Sequence, residues 1–390
     1  MKTYEHSDML KQLPDQFFAI LAERVQKAIA AGHDVINLGQ GSPDKPAPSH
    51  VIDRLKTAAE EDSNHRYPPF RGKQNLLEAI AEFYDREYGV EIDPNTEVAI
   101  LFGAKAGLVE LPQCLMNPGD IMLVPDPGYP DYWSGPAIAN VDMHPMPLRP
   151  ENGFLPDYKE IPEDVLKASK LMILNYPNNP TGAMASPEFF QDTIKFAEQH
   201  DLCVAHDFAY GAIGFDGNKP ESFLQQPGAK EVGVEIYTMS KTYNMAGWRI
   251  AFAVGNPSVI EAINIIQDHY YCSVFGAVQD AAAEALTSSQ KGVDELVDLY
   301  EERREALIKG AHAIGWDVDA PEGSFFAWLK VPEGYTSESF SDLLLEEAKV
   351  LVAPGIGFGK HGEGYVRVGL VTEQSRIEEA LDRIKQLHIF

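Results

Sequence analysis

The sequence predicts an α/β protein in which a large unit with a mostly parallel central sheet is joined to a smaller α+β unit. The chain has 390 residues, which is enough for about two or three domains. Between residues 95 and 255, short apolar runs alternate with longer helical patterns, as is typical of a parallel sheet covered by helices. Past Gln279 the pattern changes to long amphipathic helices with two strand candidates.

In the large unit, the strands are predicted from short apolar runs separated by helical patterns. They cover residues 98–102, 121–124, 171–174, 202–205, 234–238 and 250–254. Ser186, Pro187 and Glu188 supply an N-cap residue, a proline for the first helical position and an early acid. We therefore expect a helix from this point to about His200, joining two of the strands.

The smaller unit is predicted to combine both ends of the chain. Helices are expected at 294–313 and 337–348, and strands at 325–330 and 365–370. The N-terminal region has a helix near 16–31 and an extended segment at 35–38 but no core of its own. We expect it to pack onto the smaller unit. The predicted domains are therefore 49–280, and 1–48 together with 281–390.

Charge and cysteine content exclude several classes of protein. With 32 basic and 59 acidic side chains the net charge is −27, which repels both nucleic acid and an anionic membrane surface. Cys114, Cys203 and Cys272 form no CxxC pair, and the histidines show no paired ligand spacing, so we expect neither disulfides nor a metal site. Charged residues interrupt the first 13 positions, and no apolar run approaches the length of a membrane span. We expect a cytoplasmic protein.

Lys241 follows the predicted strand 234–238, and Arg249 comes eight positions later. A lysine at the carboxyl end of a strand points into the crevice where open α/β sheets bind ligands. Condensed with an aldehyde, its amine becomes a Schiff base that can exchange amines. The hydroxyls of Thr238 and Ser240, together with the Arg249 guanidinium, would hold a phosphate beside it. Taken alone, a lysine in a loop is far more often a solvated side chain, and only the residues that accompany Lys241 favour the chemical role.

Asp207 ends the predicted strand 202–205 after one intervening histidine, and Tyr210 follows three positions later. A carboxylate at the mouth of a parallel sheet can keep a pyridine nitrogen protonated, and a nearby phenol can hydrogen-bond to a ring hydroxyl. Pyridoxal phosphate has both groups and needs its nitrogen charged to act as an electron sink. A helix cap is the alternative role for Asp207.

Three further segments follow predicted strands. Asn179 lies between Pro177 and Pro180 in a turn that the prolines make rigid, and its amide can donate to a ligand oxygen. Ala104 and Lys105 open a helix after strand 98–102, where free amides and the helix dipole form a phosphate seat. The third segment contains an aromatic residue. Tyr129 follows strand 121–124 and is suited either to stack on an aromatic ring or to pack on the surface.

Two features late in the chain need separate interpretation. Arg367 lies at the centre of the predicted strand 365–370, and its planar fork suits either a substrate carboxylate or an internal acid. Residues 357–362 spell GxGxxG, the dinucleotide-binding fingerprint. A strand follows this segment instead of a helix, so no helix N-terminus is available for a pyrophosphate, and we interpret it as a flexible turn.

Together these residues resemble the fold-type I, class I/II pyridoxal-phosphate aminotransferases. The resemblance extends from about Val35 to the C-terminus. Its motifs are Asn-Pro-Thr-Gly at 179–182, Ser-Lys at 240–241, Gly-Trp-Arg at 247–249 and Tyr-Val-Arg at 365–367. It implies the PLP-dependent transferase fold type I, with pyridoxal 5'-phosphate in the large domain. The chain has Asp-Phe-Ala-Tyr at 207–210 where the family often has Asp-Glu-x-Tyr, which spares both functional positions.

The resemblance also implies a role for each site residue. The lysine at Lys241 carries the cofactor and moves the proton between the substrate Cα and the cofactor C4′. Asp207 would pair with the pyridinium nitrogen, Tyr210 and Asn179 with the ring hydroxyl, and Tyr129 would stack on the ring. The phosphate would be bound by the amides of Ala104 and Lys105, by Thr238, Ser240 and Arg249, and by Tyr67 of the partner subunit. Arg367, assisted by Asn179 and the backbone of Gly41, would bind the substrate carboxylate. These roles imply a homodimer with shared sites.

The function implied is amino-group transfer between an amino acid and a 2-oxo acid by a ping-pong mechanism. More narrowly, residues 37–41, 126–132 and 206–210 look like the bacterial transaminases of methionine salvage, which convert 4-methylthio-2-oxobutanoate to methionine. Aromatic, alanine or aspartate specificity, a lyase or decarboxylase on the same scaffold, and a non-catalytic regulator are the alternatives. Phe17, Phe18, Tyr132 and Trp133 either line an apolar substrate pocket or belong to the core.

Overall fold

The computed structural model describes residues 1–14 and 16–390. The strands are β1 (Ile36–Asn37), β2 (Val98–Leu101), β3 (Ile121–Asp126), β4 (Asp142–Pro147), β5 (Ser169–Leu174), β6 (Cys203–Asp207), β7 (Gly233–Thr238), β8 (Ala251–Gly255), β9 (Phe326–Lys330), β10 (Val350–Leu351), β11 (Ala353–Pro354) and β12 (Tyr365–Gly369). The helices are α1 (Asp8–Gln12), α2 (Phe17–Ala30), α3 (Ser49–Ala59), α4 (Gln74–Tyr88), α5 (Ala104–Leu115), α6 (Ser134–Ala139), α7 (Glu163–Ala168), α8 (Pro187–His200), α9 (Ala229–Val232), α10 (Met239–Thr242), α11 (Pro257–Tyr270), α12 (Gly276–Thr287), α13 (Lys291–Ala313), α14 (Ser337–Leu343) and α15 (Gln374–Lys385).

Within the described residues, β2 to β8 form one seven-stranded sheet in the order β2-β8-β7-β6-β5-β3-β4. Its pairs are parallel except those made by β8, which runs antiparallel to both β2 and β7. The strands β2, β7 and β8 are buried along their whole length, because helices cover both faces of the sheet. This burial explains why β2 and β8 appear in the sequence as continuous apolar runs, whereas the buried Glu235 interrupts the run of β7. The predicted α/β fold with a mostly parallel sheet is confirmed.

The edge strand β4 was not predicted. It pairs with β3 alone, most of its residues are exposed or half-buried, and it contains Pro145 and Pro147. Proline is tolerated at an edge because the missing N–H would not bond a second strand. Since β4 lacks both the apolar run of a central strand and an apolar-polar alternation, its sequence pattern carries no strand signal.

A second group of strands contains both ends of the chain. The strands β11, β12 and β9 form an antiparallel sheet, and β1 pairs in parallel with β10, with Ile36 opposite Val350. The helices α13 and α15 pack against each other beside this sheet. The extended N-terminal segment therefore adds to the C-terminal strands. The domain boundaries at 48/49 and 280/281 stay a prediction.

Local signals position the helices as expected, with one exception. Ser186 caps α8 by accepting a hydrogen bond from the Phe189 amide at 3.3 Å, and the helix ends at His200. The helix predicted at 337–348 is instead α14 followed by a π-helical turn over Leu344–Ala348. No helix in the described part of the chain is long and apolar enough to cross a bilayer.

The GxGxxG segment forms two short 3₁₀ turns, Gly355–Phe358 and Lys360–Gly362, and leads into β12 as expected. The segment packs on the end of β3. Asp126 accepts hydrogen bonds from the backbone amide of His361 at 3.0 Å and from its Nδ1 at 2.9 Å. The glycines therefore permit close packing between the two sheets instead of forming a nucleotide loop.

Candidate active site

A cavity of about 440 Å³ opens at the carboxyl ends of β3, β5, β6 and β7. The segments that follow these strands, the start of α5 and the helix α2 form its walls. These walls contain every predicted site residue except Tyr67: Gly41, Ala104, Lys105, Tyr129, Asn179, Asp207, Tyr210, Thr238, Ser240, Lys241, Arg249 and Arg367. Predicted site residues up to 326 positions apart in the sequence thus meet in one pocket, as from Gly41 to Arg367.

Lys241 lies on α10, a single helical turn that begins directly after β7. The Thr238 hydroxyl caps this turn by accepting from the Ser240 amide at 3.2 Å. The Nζ of Lys241 donates to the carbonyl of Gly41 at 2.8 Å. Burial, followed by the positive charges of Arg367 and Arg249, lowers the pKa of Lys241 to about 8, although Asp207 opposes the shift. A neutral amine near physiological pH is a competent nucleophile, which a solvated loop lysine is not.

Asp207 is the last residue of β6 and is buried. Its Oδ2 accepts a hydrogen bond from the Tyr132 hydroxyl at 2.7 Å, while Oδ1 is buried without a partner among the described residues. Burial raises the pKa of Asp207, and the Tyr132 hydrogen bond and the charge of His206 oppose that rise. No helix begins at Asp207, so the alternative role as a helix cap is wrong. A buried acceptor without a partner is costly, and a cationic N–H donor in the cavity would satisfy it.

The start of α5 and the Arg249 guanidinium converge at one end of the cavity. Gly103 precedes α5 with φ 85°, and a Cβ placed there would lie 2.2 Å from Nη2 of Arg249. Arg249 itself has φ 57° and donates from Nη1 to the Ala246 carbonyl at 2.7 Å. The free amides of Ala104 and Lys105 and the helix dipole thus face a cation, an arrangement suited to phosphate. The side chain of Lys105 turns away to Asp131 at 2.9 Å.

Arg367 is buried at the centre of β12. Its Nη1 donates to Oδ1 of Asn179 and its Nη2 to the carbonyl of Gly39, both at 2.9 Å. No carboxylate of the described residues lies within 4.0 Å of its guanidinium, so the alternative of an internal salt bridge is wrong. Burial lowers the pKa of Arg367 to about 9, and at neutral pH the group remains a cation that can bind a carboxylate.

Aromatic rings enclose the Arg367 guanidinium. Its Cζ lies 3.9 Å from the ring centre of Phe326, 4.7 Å from that of Phe358 and 5.1 Å from that of Phe18. These cation–π contacts hold the guanidinium plane in one orientation and exclude water from it. Phe18 also stacks on Tyr129 at 6.4 Å. Phe18 and Tyr132 line the cavity, whereas Phe17 and Trp133 do not; they are half-buried and pack against core residues.

Of the three tyrosines predicted as cofactor-binding residues, Tyr129 and Tyr210 line the cavity and Tyr67 does not. Tyr129 lines the cavity, so packing on the outer surface is wrong for this ring. Tyr210 is buried with its edge toward Phe326, at 5.8 Å between ring centres. Tyr67 is 87% exposed and does not line the cavity of its own chain. Its predicted contact from a partner subunit stays a prediction.

Sequence patterns missed the contacts of three residues. Tyr132 was grouped with possible pocket or core residues, and its bond to Asp207 had no local signal. Asn175 lay within the quoted turn, but its donation to the Asp207 carbonyl at 2.7 Å was not expected. Phe358 was interpreted only as part of the GxGxxG segment, so its contact with the Arg367 guanidinium was not expected.

Within residues 1–14 and 16–390, no group of three or more His, Cys, Asp or Glu residues is placed to hold a metal ion.

Comparison with known proteins identifies the family. The sequence profile of aminotransferase class I and II matches residues 33–384. This chain belongs to the class I and II aminotransferases. It is therefore a transaminase, and like its family it depends on pyridoxal 5'-phosphate. The cavity fits that cofactor, because it joins a buried amine, a carboxylate oxygen without a partner and a phosphate seat.

The similar proteins are aminotransferases whose names specify different substrates. The L-glutamine--4-(methylsulfanyl)-2-oxobutanoate aminotransferase of Bacillus subtilis (strain 168) is 62% identical over 99% of this chain and 97% of that protein. The LL-diaminopimelate aminotransferase of Moorella thermoacetica is 46% identical over 97% of both chains. A substrate-bound structure of BacF from Bacillus subtilis superposes with a TM-score of 0.95 at 47% identity, covering 100% of this aminotransferase and 98% of BacF.

Proposed function

We propose that this aminotransferase transfers the amino group of an amino acid to 4-(methylsulfanyl)-2-oxobutanoate by a ping-pong mechanism and so forms methionine. The observation that carries the proposal is the 62% identity to the Bacillus subtilis enzyme whose name specifies this oxo acid. The helix α2 contributes Phe18, Leu21 and Ala22 to the cavity wall, with Leu351 beside them. An apolar wall suits an uncharged thioether side chain.

In the proposed reaction, Lys241 moves the proton at the substrate Cα. Its lowered pKa of about 8 lets it accept and return a proton near neutral pH. Oδ1 of Asp207 would bind the pyridinium nitrogen, which would give this buried oxygen a partner. When bound, pyridoxal phosphate supplies an electron sink and carries the amino group between the two half-reactions.

The remaining site residues would bind and orient the reactants. Asn179 and Tyr210 would hold the ring hydroxyl and Tyr129 would cover one ring face. The phosphate would be bound by the amides of Ala104 and Lys105, by Thr238, Ser240 and Arg249, and by the partner subunit's Tyr67. Arg367, with Asn179 and the backbone of Gly41, would bind the substrate carboxylate through its planar fork.

A comparison of oxo acids tests the substrate. We expect kcat/KM for 4-(methylsulfanyl)-2-oxobutanoate to exceed that for pyruvate, oxaloacetate and phenylpyruvate, while Lys241→Ala abolishes turnover. A preference for oxaloacetate or phenylpyruvate would favour aspartate or aromatic specificity instead. LL-diaminopimelate belongs among the donors, because relatives with that name are 40% to 46% identical.

Two alanines of α2 offer a matched test of the apolar wall. Ala22 is exposed within the cavity wall, whereas Ala30 is exposed at the far end of the same helix. Ala22→Lys should lower kcat/KM for the methylsulfanyl acceptor by roughly tenfold or more, because it brings a charge beside an apolar side chain. Ala30→Lys should leave it unchanged. Equal effects of the two variants would contradict the role of this wall.

We also propose a cytoplasmic homodimer whose two sites each take Tyr67 from the partner. Support comes from the exposure of Tyr67 and Phe70, 87% and 61%, in the segment before α4. The exposed free thiol of Cys272 suits a reducing compartment. We retain residues 49–280 as the proposed cofactor domain.

Mixing two variants tests the shared site. Tyr67→Phe should weaken cofactor binding if the partner subunit's Tyr67 reaches the site, because Tyr67 does not line the cavity of its own chain. In a heterodimer of Tyr67→Phe with Lys241→Ala, one site combines a native Lys241 with a native Tyr67 of the partner subunit. That site should recover native cofactor affinity. No recovery, or a monomer in light scattering, would contradict the shared-site dimer.

A further inference from the structure

The loop over residues 39–44 supplies carbonyl oxygens to both reactive cations of the cavity. The carbonyl of Gly41 accepts from Nζ of Lys241 at 2.8 Å, and the carbonyl of Gly39 accepts from Nη2 of Arg367 at 2.9 Å. A displacement of this short loop would therefore change the positions of the amine and the guanidinium together. The contacts that hold the loop in place determine the geometry of the site.

A buried arginine holds the far end of this loop. Arg303 on α13 is 0% exposed and forms a bidentate pair with Asp44, from Nη1 to Oδ1 at 2.9 Å and from Nη2 to Oδ2 at 2.8 Å. The same Nη1 donates to the carbonyl of Leu370 at 2.9 Å. Leu370 directly follows β12, three residues after Arg367. One guanidinium thus joins the loop to the strand that carries Arg367.

Asp44 is the carboxylate that neutralises this buried charge. Burial by itself would raise the pKa of Asp44, but hydrogen bonds and the positive charge of Arg303 outweigh that effect and lower it. Glu373 also lies 3.9 Å from Arg303, beyond hydrogen-bonding distance, and its side chain is 65% exposed. A buried charge that loses its partner is strongly unfavourable, so loss of the Asp44 carboxylate would leave the buried Arg303 guanidinium without the contact that holds the loop against α13.

We propose that Arg303 and Asp44 are positioning residues that fix loop 39–44 and thereby aim the Arg367 guanidinium at the substrate carboxylate. This inference rests on the proposed role of Arg367. Neither Arg303 nor Asp44 lines the cavity, so they act through the backbone contacts of the loop and of Leu370.

The next residue of α13 provides a matched control. Arg304 forms a bidentate pair with Asp216, at 2.7 Å from Nη1 to Oδ2 and 2.8 Å from Nη2 to Oδ1, and its side chain is only 7% exposed. No residue within three positions of Asp216 lines the cavity. Loss of either pair removes a bidentate contact from the same helix, but only one of the two contacts leads to Arg367.

The experiment compares Asp44→Asn with Asp216→Asn in the cofactor-loaded enzyme. For Asp44→Asn, we expect KM for methionine to rise by about tenfold while kcat changes by less than about threefold. The substrate carboxylate is bound equally in the ground state and the transition state, so weaker binding of this group raises KM and leaves kcat nearly unchanged. We expect Asp216→Asn to leave KM for methionine within about twofold of the native value. Calorimetric binding of 4-(methylsulfanyl)butanoate, which has the carboxylate but no reacting group, should weaken in parallel.

A substrate without a carboxylate separates positioning from general loosening. The amine 3-(methylsulfanyl)propylamine enters the first half-reaction without using Arg367. In Asp44→Asn its rate of reaction should fall much less than the rate with methionine, because the loop still contacts Lys241 but the amine has no carboxylate contact to lose. In Asp216→Asn its rate should not change. If Asp44→Asn lowers this rate as much as the rate with methionine, or if it matches Asp216→Asn throughout, the positioning role is wrong.

Arg367→Gln distinguishes failure of this proposal from failure of the proposed site. If Arg367→Gln leaves the preference for methionine over the amine unchanged, the proposed role of Arg367 is wrong. The pair of Arg303 and Asp44 would then have no carboxylate-binding group to position. If that preference is lost while Asp44→Asn retains it, only the positioning proposal fails. Should Asp44→Asn not fold, Asp44→Glu keeps the charge and moves the loop, and the same rise in KM for methionine is expected.

Discussion

The ionisation of Lys241 is the property on which the proposed chemistry depends most directly. Its pKa of about 8 arises from burial first and then from the charges of Arg367 and Arg249, with Asp207 acting in the opposite direction. Two substitutions therefore have opposite predicted signs in the cofactor-free protein. Arg249→Gln should raise the pKa of Lys241, and Asp207→Asn should lower it further.

The magnitude follows from the size of the shift. At pH 7 a lysine with a pKa of about 8 is about 9% neutral, whereas one at the ordinary 10.5 is about 0.03% neutral. The population of the nucleophilic form is thus about 300-fold larger. This gain comes from the folded environment and should disappear in denaturant.

Competitive labelling measures this pKa. The cofactor-free protein is exposed to a trace amine-reactive reagent over pH 6 to 11, and modification of the Lys241 peptide is followed by mass spectrometry. The exposed Lys291, with 81% of its side chain accessible, serves as the internal reference. A Lys241 profile that coincides with that of Lys291, or a shift in the same direction for Arg249→Gln and Asp207→Asn, would refute the electrostatic argument.

Three further predictions follow from the same contacts. Gly103→Ala should reduce cofactor affinity by about tenfold or more, because its Cβ would displace the Arg249 guanidinium. Gly119→Ala is the control, since Gly119 has a similar φ of 99° but open space around the Cβ, and it should leave cofactor affinity unchanged. Fluorescence titration measures both affinities. Lys241→Met should stabilise the cofactor-free protein at pH 7 by at most about 3 kcal/mol in urea unfolding, because below its folded pKa of about 8 the buried amine is charged and destabilises the folded state by its full amount. This gain in stability should fade toward pH 10.5, where the amine is neutral in the folded protein. A gain that does not change with pH would contradict its assignment to ionisation. Tyr132→Phe should raise the pKa of Asp207, because a hydrogen bond that lowers this pKa is lost, and should move the acid limb of the kcat/KM profile to higher pH. An unmoved limb would mean that Asp207 does not control it.

The order of elements and the main chemical groups could be predicted from the sequence because their signals are local. A central strand covered on both faces is mostly apolar, so each core strand of the main sheet is visible as a short run of apolar residues, even where Glu235 or His206 interrupts it. The carboxyl ends of such parallel strands meet at one edge, which brought Asp207 and Lys241 together before any contact was known. The four motifs at 179–182, 240–241, 247–249 and 365–367 together indicated the family without coordinates.

The tertiary structure decided which side chains touch. The edge strand β4 was invisible, because most of its residues are exposed or half-buried and so leave no apolar pattern. The partner of Asp207 turned out to be Tyr132, 75 positions away, and the Arg303–Asp44 pair spans 259 positions. Such pairings depend on how distant segments pack, and no run or spacing along the chain encodes that. The sequence by itself determined the residues that carry the chemistry; only the folded chain determined what holds them in position.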